Sequence, residues 1–149
     1  MNSSYIAGFF DGEGTLNISS NRWRISIPQT HFGVLNEIKE FVGYGNIYKT
    51  KKKKGHHKDA WVYTVSDRND VLRFLLMIEP FIIVKKDFVN NQILLLKEKK
   101  LNEDYKVRER EKERIKVTEL ISSGLSYRKI EKIMGFSRQK VCRLINEKV

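Results

Sequence analysis

The stretch YIAGFFDGEG, residues 5–14, decides the fold, because it combines an apolar helical pattern with three glycines and two acids. Read as a helix with Ser3 or Ser4 at its N-cap, it places Gly8 and Gly12 on one face, four residues apart. Each glycine costs a helix about 1 kcal/mol relative to alanine, so a compensating contact is needed. Close approach of a second helix is the natural contact, since small residues let two backbones nearly touch.

The two acids stand at the end of this helix, where the helix dipole disfavours negative charge and Gly14 supplies the stop. A second copy packed on the glycine face would bring two Glu13 carboxylates together, and like charges that close need a metal ion or a proton between them. The apolar neighbours would complete the contact or reach the core. We therefore predict an interface between two copies that contains Ile6, Gly8, Phe9 and Gly12.

Composition favours a polyanionic partner. The chain has 149 residues, 29 Lys and Arg against 18 Asp and Glu, and a formal net charge of +11. Residues 101–149 hold 13 basic and 8 acidic residues, so both parts of the chain are basic. Nucleic acid is the first candidate for such a charge. The single cysteine, Cys142, excludes an internal disulfide, and no apolar run approaches a membrane span, so we expect a soluble intracellular protein without membrane contact.

After Gly14 the apolar residues alternate with polar and basic ones, which predicts two strands joined by a turn at Ser20 and Asn21. A second predicted hairpin carries the basic run 51–58, whose His56 and His57 we interpret as loop residues. The polar face of these strands suits base edges and phosphates, although an ordinary solvated sheet face remains an alternative. The predicted DNA contacts there are Asn17, Ser19, Arg22, Arg24, Ser26, Gln29, Asn46, Tyr48, Thr50 and Thr64.

Three further helices are predicted at residues 33–42, 69–78 and 87–100, the second halted by Glu79 and Pro80. The order helix, two strands, helix, two strands, helix, helix predicts an α+β fold with the helices on one face of a four-stranded antiparallel sheet.

Beyond residue 100 the sequence becomes almost wholly charged and then compact again. We predict a core at 1–100, a charged helical connector at 101–114 and a three-helix domain at 115–149. The small core would comprise Ile115, Leu120, Ile121, Ile130, Ile133, Met134, Val141, Leu144 and Ile145. On the third helix the outward residues Arg138, Gln139, Lys140 and Arg143 are predicted DNA contacts. A three-helix protein-binding bundle remains the alternative.

Residues 6–14 resemble the defining motif of the LAGLIDADG homing endonucleases, position by position through all nine residues. The resemblance implies that Glu13 binds the catalytic Mg²⁺ or Mn²⁺ and that Asp11 is structural. It also implies a catalytic lysine at Lys85, with Lys86 the neighbour that could be confused with it. A metal-bound water would be ordered by Ser26 or Gln29, which the sequence leaves open. The string GLSYRKIEKIMGFSRQKVCRLI, residues 124–145, resembles a resolvase-type helix-turn-helix.

One motif copy in the chain predicts a homodimer on double-stranded DNA. The resemblance implies cleavage of a pseudo-palindromic site by metal-dependent phosphodiester hydrolysis that leaves 3′ overhangs, with a saddle-shaped sheet in the major groove. Two alternatives stay open: a non-cleaving DNA-binding regulator, and an RNA-binding intron maturase on the same scaffold.

Overall fold

The computed structural model describes residues 1–50 and 59–146, and the predicted basic loop with His56 and His57 lies outside that range. The helices are α1 (Ser3–Glu13), α2 (Phe32–Val42), α3 (Arg68–Ile78), α4 (Lys86–Ser122), α5 (Tyr127–Met134) and α6 (Arg138–Asn146). The strands are β1 (Thr15–Ser19), β2 (Arg22–Gln29), β3 (Asn46–Lys49) and β4 (Trp61–Val65). A 3₁₀ turn at Glu79–Phe81 follows α3, as the proline there predicts.

The four strands form one antiparallel sheet in the order β1-β2-β4-β3. Ser20 and Asn21 have φ of 46° and 67°, the left-handed pair of a tight hairpin turn, which confirms the predicted connection between β1 and β2. The predicted α+β fold with an antiparallel four-stranded sheet is confirmed. Pro28 pairs with Val62 beyond the end of β1, so its missing N–H interrupts no bond to that strand.

One hydrophobic core lies between the sheet and the helices of the first unit, Met1–Glu98. Side chains from α1, α2, α3 and the first part of α4 pack on the alternate residues Trp23, Ile25 and Ile27 of β2. Gln92 is buried there and its Oε1 accepts a hydrogen bond of 3.1 Å from Trp23 Nε1, which ties α4 to the sheet without an unsatisfied amide. On the opposite sheet face Asn17, Arg22 and Arg24 are exposed.

The second unit, Lys99–Val149, has its own small core of Val117, Ile130, Val141 and Leu144. Two residues predicted for that core are wrong, since Ile115 is 51% exposed and Ile133 is 57% exposed. The buried residue that the prediction missed is Val117: helix phase places it on one face with Leu120 and Ile121, three and four positions on, while Ile115 falls two positions earlier on another face. The helix predicted at 87–100, the predicted connector at 101–114 and the start of the predicted three-helix domain lie in one helix, α4, which ends at Ser122.

Two smaller features differ from the sequence analysis or complete it. The N-cap of α1 is Asn2, one residue before the predicted serines, and its side chain accepts the Tyr5 N–H at 2.9 Å. Within residues 1–50 and 59–146, no helix combines the length and the apolar character that a membrane crossing requires.

Candidate functional site

The outer face of α1 is bare backbone flanked by aromatic rings. A Cβ placed on Gly8 or on Gly12 would meet no atom within 4 Å, so both glycines border open space. Beside them the rings of Tyr5 and Phe9 stack with centroids 5.9 Å apart, and Tyr5 is 49% exposed. Nothing within the described chain therefore accounts for the two glycines, and the face is free to receive another surface.

Ile6 does not belong to that face, and its predicted place at an interface between copies is wrong. Its side chain is fully buried, together with Ala7 and Phe10, in the core of its own unit. The reason is helical phase: residues 6, 7 and 10 point towards the sheet, and residues 5, 8 and 12 point away. The outer face consists of Tyr5, Gly8 and Gly12, with the half-buried Phe9 at its border with the core.

Asp11 holds the chain segment that leads into α4. Its Oδ2 accepts the N–H groups of Ile83 at 2.7 Å and Val84 at 3.1 Å, and its Oδ1 accepts that of Lys85 at 3.0 Å. Burial alone would raise the pKa of this carboxyl, but the three backbone N–H bonds and the nearby Lys85 charge outweigh it, so its pKa lies below the ordinary value. Asp11 is thus fully occupied by backbone.

Lys85 returns the contact from the other side. Its ammonium donates to the carbonyl oxygens of Phe10 at 2.8 Å, Asp11 at 2.6 Å and Gly14 at 2.8 Å. The Asp11 carbonyl belongs to the last turn of α1, where helix carbonyls lack partners in the helix itself, while the Phe10 carbonyl also accepts the Gly14 N–H at 2.9 Å. The ammonium also lies 5.4 Å from the centroid of the Phe10 ring. We name these reciprocal contacts of Asp11 and Lys85 the clasp.

Glu13 is the last residue of α1 and lies in the chain between Asp11 and Gly14, whose carbonyls bind Lys85. The side chain is exposed, and it has no hydrogen bond or ion pair with any residue of the described ranges. Among residues 1–50 and 59–146, no group of three or more His, Cys, Asp or Glu side chains converges as a complete metal site. Mg²⁺ commonly takes one or two carboxylates and completes its shell with phosphate oxygens and water, so a single free carboxylate fits that ion.

Gly14, next to Glu13, has no room for a side chain. A Cβ at this position would overlap with the Phe10 ring, so the chain can leave α1 here only through glycine.

The open face of the sheet gathers most of the predicted DNA contacts. Cross-strand pairing puts Asn17 beside Arg24, Ser19 beside Arg22, and Ser26 beside Thr64. Asn46 pairs with Thr64, and Tyr48 lies two residues further along the same strand, so both share this face. Thr50 continues the alternation and bonds Ala60 O through its backbone and its hydroxyl, both at 2.8 Å. Thr15 also belongs here, and the alternation with Asn17 was the signal that could have found it.

Gln29 is the predicted sheet residue that lies on the other face. It follows Ile25 and Ile27 in alternation and pairs with Trp61, so it is on the side covered by helices. There it borders an open cleft of about 740 Å³ that is also lined by Tyr5 and Phe9. The two candidates for ordering a water, Ser26 and Gln29, thus lie on opposite faces of β2, and only Gln29 shares its side with α1.

In the second unit, α6 starts behind Ser137, whose hydroxyl accepts the Lys140 N–H at 3.3 Å. Arg138, Gln139 and Arg143 are exposed, as predicted for contacts with a partner. Lys140 differs: its ammonium donates to Glu113 Oε1 at 2.8 Å and lies 3.6 Å from the centroid of the Phe136 ring. Lys140 therefore braces α6 within its own unit.

Basic residues concentrate on α5 and α6. Between residues 126 and 146 Glu131 is the one acid, against six basic residues, Arg128, Lys129, Lys132, Arg138, Lys140 and Arg143. Arg128, which the sequence analysis did not single out, lines the same groove of about 410 Å³ as Arg138. Their approach depends on the turn through Gly135, at φ +67°, and this is why sequence spacing did not reveal it.

Comparison with known proteins agrees with this geometry. A family model described as a LAGLIDADG-like domain matches residues 1–79. A search of curated proteins finds no match.

Three similar solved structures illustrate the fold. The homing endonuclease I-CvuI in complex with its target has a TM-score of 0.52 at 19% identity, over 64% of this chain and 65% of that chain. The LAGLIDADG meganuclease I-AabMI bound to uncleaved DNA has a TM-score of 0.54 at 16% identity, over 73% and 42%. The group I intron-encoded homing endonuclease I-CeuI with DNA has a TM-score of 0.51 at 22% identity, over 64% and 53%. The chain thus spans less than two thirds of each, and the likeness is one of fold.

Proposed function

Because the chain belongs to the LAGLIDADG-like domain family, we propose that it is a site-specific DNA endonuclease that acts as a homodimer on a pseudo-palindromic target. The observation that carries the proposal is the carboxylate of Glu13, which has no partner among residues 1–50 and 59–146 and lies at the end of a helix whose glycine face borders open space. A buried or ion-paired Glu13 would have argued for a purely structural motif. Its freedom leaves it available for a cation and a phosphodiester.

The dimer follows from the outer face of α1. Helices that approach through small residues pack backbone to backbone, and within the described part of the chain no atom lies within 4 Å of a Cβ placed on Gly8 or Gly12. A two-fold axis through this face makes the contact self-complementary, so the same residues serve both subunits. It would also bring the C-terminal ends of the two α1 helices together, and with them both Glu13 side chains. Each active site would then draw on two chains.

In the reaction, Glu13 would hold Mg²⁺ or Mn²⁺ against the DNA backbone. A divalent cation bound there supplies an activated water for attack on the phosphorus and stabilises the departing 3′ oxygen. The chain contributes the carboxylate, and the clasp fixes the backbone on both sides of it. Each of the two neighbouring sites would hydrolyse one DNA strand, and the two cuts together would leave 3′ overhangs.

The open sheet face would supply the base and phosphate contacts. Arg22 and Arg24 add charge, and Asn17 and Asn46 can both donate and accept hydrogen bonds, which is what readout of base edges requires. Together the two subunits would present this face twice, as a pseudo-palindromic site demands.

We further propose that residues 101–114 connect this core to a helix-turn-helix module at 115–149 that extends the site on each flank. The basic surface of α5 and α6 supports this role, with Gln139 and Arg143 reading bases and Arg138 on phosphate. The preferred partner is double-stranded DNA.

The test is selection followed by cleavage. Full-length protein selects duplexes from a randomised library in Ca²⁺, and the selected duplexes are then incubated with Mg²⁺ and analysed for cleavage of both strands. We expect cleavage with 3′ overhangs by the unaltered chain. Glu13→Gln should abolish cleavage and keep binding, while the matched control Glu98→Gln, an exposed acid distant in sequence, should cleave normally.

Binding without cleavage under every divalent metal would refute the enzyme and favour a DNA-binding regulator. Preference for structured RNA over every duplex in the library would favour a maturase. Loss of DNA binding in Glu13→Gln would assign that residue a structural role.

A further inference from the structure

The two segments of the clasp are far apart in sequence, yet every polar group in it is matched. The Asp11 carboxylate receives three consecutive backbone N–H groups, of residues 83, 84 and 85, over distances of 2.7–3.1 Å. The Lys85 ammonium gives three hydrogen bonds of 2.6–2.8 Å to carbonyls around the end of α1. The end of α1 and the start of α4 thereby hold each other by six hydrogen bonds.

This occupancy bears on what Lys85 can do. A lysine ammonium has three N–H donors and no acceptor, and all three donors are directed at backbone carbonyls. The helix dipole gives the C-terminal end of α1 a partial negative charge, which favours a cation at this place. A contact with a DNA phosphate would require Lys85 to give up at least one short hydrogen bond. The resemblance implies a catalytic role for Lys85, whereas the geometry satisfies the side chain within the protein.

The carbonyls that Lys85 binds flank Glu13 in the chain. Asp11 precedes it by two residues and Gly14 follows it directly, so the ammonium restrains the backbone on both sides of Glu13. The Glu13 side chain itself has no partner in the described ranges, so its direction depends on that backbone. Resting on the proposed function, we infer that Lys85 is a positioning residue, which sets the affinity of Glu13 for a divalent cation by fixing the end of α1.

The first measurement needs neither metal nor DNA. Amide hydrogen exchange of the free full-length chain is compared between the unaltered protein, Lys85→Met and Lys86→Met. Lys86 is the matched control, because it is the exposed neighbouring lysine at the first position of α4. Loss of the clasp should speed exchange of the Gly14 N–H, which bonds Phe10 O at 2.9 Å, and Lys86→Met should leave it unchanged. Unchanged exchange in Lys85→Met would overturn the inference.

The second measurement follows Tb³⁺ luminescence during titration of the full chain bound to a short mixed-sequence duplex at low salt. A chain of charge +11 binds such a duplex without sequence specificity. Lys85→Met should weaken Tb³⁺ binding about tenfold or more, the usual effect of removing a group that supports a metal ligand. A purely stabilising role for Lys85 would leave Tb³⁺ affinity unchanged, and that result would also overturn the inference.

Lys85→Gln separates capping from charge and covers the case in which Lys85→Met fails to fold. The glutamine amide can still donate two N–H bonds to carbonyls but has no charge. The positioning role predicts that Lys85→Gln exchanges the Gly14 N–H more slowly and binds Tb³⁺ more tightly than Lys85→Met. If Lys85→Met does not fold, the same role predicts that Lys85→Gln keeps part of the slow exchange and part of the Tb³⁺ affinity of the unaltered protein. If Lys85→Gln matches Lys85→Met in Tb³⁺ binding while its exchange stays slow, the charge of Lys85 acts directly and the inference fails.

Glu13→Gln distinguishes failure of this inference from failure of the proposed function. Tb³⁺ binding that survives Glu13→Gln would refute the metal site, and amide exchange alone would then decide whether Lys85 restrains α1. Tb³⁺ binding that needs Glu13 but ignores Lys85 would refute only the positioning role.

Discussion

Replacement of Gly8 by alanine should stabilise the monomer and weaken the dimer. In the single chain the new Cβ meets no atom within 4 Å, and the helix gains about 1 kcal/mol from the better propensity of alanine. For a unit the size of Met1–Glu98, that gain corresponds to a rise in Tm of about 4–8 °C. Stability and assembly would therefore change in opposite directions.

The loss at the interface follows from symmetry. An isologous contact contains each residue twice, so one substitution adds two methyl groups where two backbones approach. Overpacking costs about 1–3 kcal/mol per site, hence about 2–6 kcal/mol per dimer. The dimer dissociation constant should then rise by between about 30-fold and on the order of 10⁴-fold.

Sedimentation velocity over a dilution series measures dissociation, and thermal unfolding at the most dilute point measures the monomer. The control is Asn91→Ala, an exposed position on α4, which should raise Tm slightly and leave assembly unchanged. If the Gly8→Ala protein dimerises as tightly as the unaltered protein, the proposed interface through Gly8 and Gly12 is refuted. A lower Tm in the dilute monomer would refute the view that the Gly8 face is open.

Three further outcomes test separate parts of the structure. Gly43→Ala should lower the free energy of unfolding by about 1 kcal/mol, because of backbone strain at φ +83°. Gly45→Ala should lower it more, as chemical denaturation would show, because at φ +87° its Cβ would also lie 2.7 Å from the ring of Tyr63. Burial raises the pKa of Tyr63 above its ordinary value of about 10, so above that pH the unfolded chain loses a proton that the folded state keeps. The free energy of unfolding should therefore be unaffected by this group below pH about 10 and should fall as the pH rises further. Tyr63→Phe should cost about 1 kcal/mol at neutral pH and reduce the alkaline loss, as denaturation at both pH values would show. Lys140→Met should lower the Tm of the second unit, whereas Arg138→Met should weaken DNA binding in a low-salt titration without changing Tm; the reverse pattern would contradict the bracing role of Lys140.

Much of the fold was predictable because it depends on local pattern. Alternation identified the strands, and the hairpin at Ser20 and Asn21 and the helix stop at Pro80 followed from turn chemistry. The error at Ile6 arose because the residues that bury it are distant in the chain. Ile6 is apolar on a helix with two usable faces, and only packing against the sheet shows which face is buried.

The predicted site divides in the same way. Glu13 could be proposed from its position in a motif, but only the three-dimensional structure shows that no residue in the described ranges pairs with it. Gln29 was grouped with the polar strand residues, yet its register sends it to the helix-covered face. A shift of one residue reverses the face of a strand residue, so register near a proline cannot be resolved by composition.

The sequence by itself determined the family motif, the helix and strand pattern and the basic charge, because each of these depends on residue type and spacing, and the motif is also what makes Glu13 the proposed reactive acid. Only the tertiary structure decided which groups Lys85 binds. The three acceptors of Lys85 are backbone carbonyls more than 70 residues away in the chain. Because every residue has a backbone carbonyl, no pattern of side chains in the sequence predicts which ones Lys85 binds. Their convergence on one ammonium depends on how the end of α1 meets the start of α4, which is a property of the packed chain.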